Sequence, residues 1–335
     1  MRATAILPIS SDMPRNRTSR PKISVVVALT GIIAAAGTLT ACSGSSRSLE
    51  VAPKTSTSQP SEPDPTTDSD PYTPTTPRKC VVGQATVQRD VSYGPAALDI
   101  FPTAKRCGAP VLIFVHGGGY CCGDKTQIGE QVIRWSNEQG YTFVAVDYRL
   151  RVQYPTFDRD VAKAIVWVRT HASTFGADGD RIALMGHSTG GSMAAELATT
   201  PSLYPTADGI KALDCVMLLD PSSLDLAGKM ANQPSRGSAA LIRRVYGTEV
   251  LGWKSASAWD NADDSDNVAK FLIAARGRQS AEQNRFADRL RENASTVQIV
   301  DASNLNHGQV MNNIGRTGDR TMTLPVKTFL NDCLG

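Results

Sequence analysis

The chain has 335 residues, 41% apolar and 20% charged, with a formal net charge of +3. That length allows one large domain or two small ones, and the composition is that of a globular protein. So small a charge, with no basic block interleaved with aromatics, argues against nucleic acid as a partner.

Residues 15–22, RNRTSRPK, are basic, and residues 23–39 are apolar and uncharged. A basic region, an apolar run and a small-residue junction make an export signal, starting at Met1 or Met13. The junction Leu39-Thr40-Ala41-Cys42 resembles a bacterial lipobox. That resemblance implies removal of residues 1–41 as a signal peptide, lipidation of Cys42, and a protein lipid-anchored outside the cytoplasm or secreted. The competing reading is an N-terminal membrane anchor, for which the apolar run falls slightly short of the ~20 residues of a span. Residues 43–78 are mostly Ser, Thr, Pro and Asp. They have too little apolar surface to offset the entropy of ordering, so residues 42–79 read as an extended tether and 80–335 as the folded domain.

With Cys42 set aside, six cysteines remain, an even number that fits disulfides in an exported chain. Their places suggest Cys80 with Cys107 and Cys215 with Cys333. Cys121 and Cys122 would be left as a strained vicinal disulfide or as two free thiols.

From Cys80 onward strands and helices alternate. ATVQRDVSY and AALDIF are short strands, and VLIFVH is a continuous apolar run of the kind buried on both faces. Residues 125–140 have helical spacing, with Ile128, Val132 and Trp135 on one stripe and Gly140 as a stop. YTFVAVDY is another strand, and residues 158–176 are a helix burying Val161, Ile165 and Val168. RIALMGHS leads into the helix GSMAAELATT. DCVMLLD, KFLIAAR and TVQIVDA are further strands, the last two separated by the helix SAEQNRFADRLREN. This alternation implies an α/β fold with a mostly parallel sheet covered by helices. The segment 224–266 reads as a cap or wall, with Trp253 and Trp259 as pocket or core aromatics.

Gly186-His187-Ser188-Thr189-Gly190 is a G-x-S-x-G motif between a buried strand and a helix. The sharp turn exposes a serine as nucleophile, and the flanking glycines give it room. A plain helix N-cap would explain the serine but not the glycines. A serine hydroxyl needs a base. Of the four histidines, His187 lies inside the turn, His171 at a helix end on the surface, and His116 at the head of a glycine run. His307, in a loop after the last strand, stands where the order serine, acid, histidine puts the base. His116-Gly117-Gly118-Gly119 follows an early strand and offers backbone N–H groups to an oxyanion. Gly118, Gly119 and Thr189 are the candidate donors.

These residues, with VDYRL, the run YPTFDRDVAKAIVWV and HGQVMNNIG, resemble the α/β-hydrolase superfamily in its carboxylesterase branch, near the hormone-sensitive-lipase and feruloyl-esterase-like groups. The resemblance covers Cys80 to Leu334. It implies a sheet of about eight strands, ester or related hydrolysis, and no cofactor or metal; the leading expectation is a serine esterase acting on short- to medium-chain acyl esters. It also implies structural roles for Asp124, Tyr148, Arg149 and Asp160 around the glycine loop. The acid departs from the family pattern, because Ser280 stands where an aspartate is usual. Asp220 and Glu282 remain as candidates, with Asp225, Asp264 and Asp301 less well placed. An amidase or formamidase with the same triad, and a non-catalytic surface protein that retains the fold, are the alternatives.

Overall fold

The computed structural model describes residues 80–205, 213–263, 270–277, 280–293 and 295–335. The signal peptide, the tether, Cys42 and Asp264 lie outside the described residues. Among the described residues eight strands form one sheet in the order β1-β2-β4-β3-β5-β6-β7-β8. They are β1 (Gln88–Ser92), β2 (Ala97–Phe101), β3 (Ala109–Val115), β4 (Thr142–Val146), β5 (Ala177–His187), β6 (Leu213–Leu219), β7 (Lys270–Ala275) and β8 (Thr296–Asp301). β2 runs antiparallel to both β1 and β4, and every other pairing is parallel. The expected α/β fold is therefore observed, and all described residues belong to the unit Asp64–Gly335.

The continuous apolar run of β3 shows why the sheet needs two covering layers. Side chains alternate across a strand. Val111, Ile113 and Val115 enter one core, against Phe157, Val161 and Ile165 of α2 (Thr156–His171) and Met193 and Leu197 of α3 (Thr189–Thr199). Leu112 and Phe114 enter the other, with Val132 and Trp135 of α1 (Glu130–Glu138) and residues near the carboxyl end of the chain. Each such side chain, fully buried, contributes about 1.5–3 kcal/mol.

Several elements differ from the sequence reading. The helix expected over 125–140 is split into a 3-10 turn, Lys125–Gln127, capped by Asp124, and α1. The segment after β6 folds as α4 (Leu226–Ala231), α5 (Arg236–Tyr246) and α6 (Val250–Ala256). Trp253 is a core residue whose indole N–H donates to Gly247 O at 2.9 Å, and Trp259 is partly buried beneath the Arg285 guanidinium. α7 (Ser280–Glu292) precedes β8, followed by α8 (His307–Asn312) and α9 (Thr323–Leu334). His171 is buried, not on the surface. Its ring stacks on Trp167 at 4.2 Å, and its Nδ1 lies 2.8 Å from Trp167 O.

Both expected disulfides are present, Cys80–Cys107 and Cys215–Cys333. The second ties β6 to α9 and closes a separation of 118 residues. Cys121 and Cys122 are free thiols.

A buried acidic pair lies between α2 and α3. Asp158 and Glu196 are fully enclosed, and Tyr246 donates its hydroxyl hydrogen to Glu196 Oε1 at 2.9 Å. Burial pushes both carboxyl groups well above their usual range, so the pair keeps a proton at neutral pH. The folded protein then holds more protons than the unfolded chain at every pH above the ordinary carboxylate value of ~4, up to the raised values, and stability falls with rising pH across that window. Removing one carboxyl should flatten this fall. We expect the stability of Asp158→Asn relative to wild type to improve between pH 5 and pH 8 in urea unfolding. A pH-independent difference would contradict the account.

Candidate active site

The site is assembled by strand register. β5 and β6 pair in parallel with His187 opposite Leu219, and the Ser188 N–H donates to Leu219 O at 3.0 Å. Ser188 and Asp220, the next residues along, therefore emerge side by side at the carboxyl ends of adjacent strands. Both turn sharply there, with φ of 57° at Ser188 and 48° at Asp220. Left-handed backbone is strained for residues other than glycine and is held only where the surroundings demand it. At Ser188 the demand is the elbow itself. A Cβ at Gly186 would overlap the Gly190 carbonyl, and one at Gly190 would overlap the carbonyls of Val115 and His116. Ser188 occupies the N-cap position of α3, yet its hydroxyl caps no backbone N–H. The hydroxyl is left for other chemistry.

His307 is not in a loop but is the first residue of α8, whose start is fixed by a reciprocal capping box between Asn306 and Gln309. Its Nδ1 lies 2.6 Å from Asp220 Oδ2. A carboxylate only accepts, so Nδ1 carries a proton. Asp220 is wholly buried, and burial alone would raise its pKa. Hydrogen bonds from His307 and from Arg276 Nε, the latter also at 2.6 Å on Oδ2, outweigh that and hold the carboxyl below its usual range. Gln283 Nε2 donates to the other oxygen at 3.3 Å.

Glu282 does not reach His307. Its Oε1 accepts the backbone N–H groups of Leu224 (2.8 Å) and Asp225 (3.0 Å), and Oε2 faces Lys229 at 3.7 Å. The sequence placed Glu282 near the site, but its carboxylate is spent on the loop that follows β6. That corrects its candidacy as the imidazole's partner. Asp225 caps α4, and Asp301 caps the turn after β8 through Ser303 N, so neither serves the histidine.

The glycine loop approaches the elbow closely. A Cβ on Gly117 would meet His187 O and Ser188 Cβ at 2.9 Å. Gly118 has φ of 115°, and a Cβ there would overlap the carbonyl of Cys122. Among the described residues no acceptor faces the N–H of Gly118, and the Thr189 N–H, in the first position of α3, has no partner within its own helix. The Gly119 N–H donates to Thr189 Oγ1 at 3.2 Å, which pins the loop to the start of α3. Tyr148 donates its hydroxyl hydrogen to His116 O at 3.0 Å and stacks on the His116 ring. Arg149 grips Asp160 through two nitrogens at 2.6 and 2.7 Å.

Two residues escaped the sequence reading. His187 donates from Nε2 to His307 O at 2.9 Å, and the two rings pack with centroids 4.4 Å apart. Burial lowers its pKa to about 4, so it stays neutral beside any charge on His307. Arg276 is the other, and nothing in the local sequence marks it as a partner of Asp220. A cavity of about 690 Å³ lies elsewhere. It is lined by Val87, Phe101, Ile133 and Arg134 among others, and contains none of these site residues.

The pattern that defines the BD-FAE family matches residues 98–285, more than half of the chain. The chain belongs to the BD-FAE family. A probable carboxylic ester hydrolase of Mycobacterium tuberculosis, LipM, is 36% identical over 122 residues, which are 34% of this chain and 28% of that protein. An arylesterase of Saccharolobus solfataricus is 33% identical over 141 residues, 41% of this chain and 44% of the relative. Human hormone-sensitive lipase is 27% identical over 181 residues, 52% of this chain and 16% of the lipase. The chain thus spans less than half the length of each. Among solved structures, a thermostable esterase from Pseudomonas putida superposes with a TM-score of 0.60 at 21% identity, covering 77% of this chain and 86% of that one. A structure of fungal esterases from Rhizomucor miehei superposes with a TM-score of 0.62 at 20% identity, covering 74% and 83%. This BD-FAE member has the α/β-hydrolase fold of those structures.

Proposed function

We propose that the protein is a serine hydrolase of small-molecule carboxylic esters with short to medium acyl chains, held outside the cytoplasm by a lipid on Cys42. The observation that carries this reading is the strained, uncapped Ser188 beside a buried Asp220 that holds His307 by Nδ1. Relatives described as ester hydrolases and esterases support it.

Ser188 Oγ attacks the ester carbonyl while His307 Nε2 takes its proton. Asp220 fixes the tautomer and stabilises the imidazolium without accepting the proton. The tetrahedral oxyanion is received by the N–H groups of Gly118 and Thr189, with Gly119 joining if it releases Thr189 Oγ1. Each such donor is worth about 2.7–4 kcal/mol in the transition state. The imidazolium protonates the departing alcohol, and water, activated by the same histidine, releases the acid. The reaction calls for no metal or cofactor.

The test is turnover of p-nitrophenyl esters from acetyl to palmitoyl by the full chain. The account predicts hydrolysis with the best kcat/KM among the shorter chains. Turnover of p-nitroanilides in place of esters would make it an amidase. No turnover of either would favour a non-catalytic protein that retains the fold.

A further inference from the structure

Two thiols stand outside this chemistry. Cys121 is half-buried and Cys122 exposed, and both are free, whereas the four other described cysteines are paired. Two disulfides fit oxidising surroundings, and Cys122 is exposed to any disulfide-bearing oxidant there. The two thiols are built into the glycine loop. Cys121 N and Cys121 Sγ both donate to Gly118 O at 3.3 Å, and the Cys122 carbonyl fills the space where a Gly118 Cβ would be. Backbone on either side is left-handed, at Gly118, Gly119, Tyr120 and Gly123, so the loop's shape is specified residue by residue.

Two guanidinium groups converge here. Arg151 Nε donates to Cys121 O at 3.4 Å, and Arg244 Nη2 donates to Gly119 O at 3.2 Å. Neither pairs with a carboxylate among the described residues. The hydrogen bond from Cys122, followed by Arg244 and Arg151, holds the Cys121 thiol below its ordinary value, and the same thiol contact raises Cys122. An acidified thiol beside a protonated neighbour is an arrangement of attacking and resolving cysteines.

We propose that Cys121 and Cys122 form a redox modification site, a dithiol that closes to a vicinal disulfide by exchange with a disulfide-bearing oxidant and so shifts the Gly118 donor. The Cys121 thiolate attacks one sulfur of the oxidant and expels a thiolate, leaving a mixed disulfide. Cys122 loses its proton, attacks the Cys121 sulfur and expels the second thiolate. Two electrons and two protons pass from the protein to the oxidant, which leaves as two thiols. Adjacent Cα atoms stand ~3.8 Å apart across a trans peptide, shorter than the usual ~4.4–6.8 Å of disulfides, so closure must twist the peptide between them. Closure also removes the Cys121 S–H that donates to Gly118 O. Both changes fall on Gly118, so the proposal rests on the oxyanion role assigned to that residue.

The test treats the full chain with oxidised glutathione, then with limiting dithiothreitol, and follows three readouts. Mass spectrometry of the peptide carrying both cysteines should show the loss of two hydrogens. Amide hydrogen exchange over residues 116–125 should change with closure. With the best ester, kcat should fall by at least about tenfold, a fraction of the 10²–10³ that a lost oxyanion donor costs, with KM nearly unchanged and recovery on reduction. The double variant Cys121→Ser/Cys122→Ser should hold its rate throughout. Thiols that stay free or stop at the mixed disulfide would overturn the proposal, as would closure that leaves both exchange and kcat unchanged. If no ester is hydrolysed in either state, the hydrolase reading fails, and mass and exchange alone decide whether the dithiol closes and moves the loop.

Discussion

Ser188→Ala is expected to lower kcat on the best p-nitrophenyl ester by about 10⁶, the scale seen when a triad nucleophile is removed, with KM changing little. The residual rate would be that of an oxyanion hole and a binding surface acting on water. Folding should be unaffected, because the Ser188 hydroxyl caps no backbone N–H. Ser188→Gly sharpens the test. At φ of 57° a side chain is strained, and glycine relieves the strain. That variant should be as inactive as the alanine variant but about 1 kcal/mol more stable. Higher stability with lost activity marks strain kept for function. A Ser188→Ala enzyme with near-native turnover would remove the serine from the mechanism.

Asp220→Asn should lower kcat by about 10⁴, the effect of the same change in other triads. Asparagine offers an N–H where His307 Nδ1–H needs an acceptor, so the imidazole is pushed toward the wrong tautomer. It also leaves Arg276 without its carboxylate. Glu282→Gln is the matched control. Its Oε1 accepts two backbone N–H groups of the loop after β6. Losing the charge there should lower stability by about 1–3 kcal/mol and leave kcat within a few-fold of wild type. Urea unfolding and steady-state kinetics on both variants separate the two roles. The reverse pattern, with Glu282→Gln slow and Asp220→Asn active, would contradict the assignment.

Much of this architecture was legible from the chain alone, for local reasons. β3, β6 and β7 are short apolar runs bounded by polar or turn residues, and their length, too short for a buried helix, marks them as buried strands. The nucleophile turn carries its own signature because glycine is required on both sides of Ser188, and the Cβ overlaps at Gly186 and Gly190 show why. The acid was ambiguous because it depends on how the ends of two strands far apart in sequence face His307. Asp220 and Glu282 both lie near the site, and only the left-handed turn at Asp220 and its contact with His307 separate them. The contact of His187 with His307 was not legible because its partner is a backbone carbonyl 120 residues away. His171 was taken for a surface residue because the stacking of its ring on Trp167 leaves no trace in hydrophobic periodicity. α5 did carry a signal, since Ala239, Ile242, Val245 and Tyr246 repeat at helical spacing and are buried together. α9 carries Pro325 in its first turn, between Leu324 and Val326, and its burial comes from packing in the core that Leu112 and Phe114 enter.

The measurement closest to the central claim is stoichiometric labelling with a p-nitrophenyl phosphonate, whose tetrahedral adduct mimics the proposed intermediate. The full chain should release one equivalent of p-nitrophenol and carry a single phosphonyl group on Ser188, found by peptide mass. Ser188→Ala should take up none, and His307→Ala should react far more slowly. An unlabelled wild-type chain, or a label on any other residue, would contradict the account.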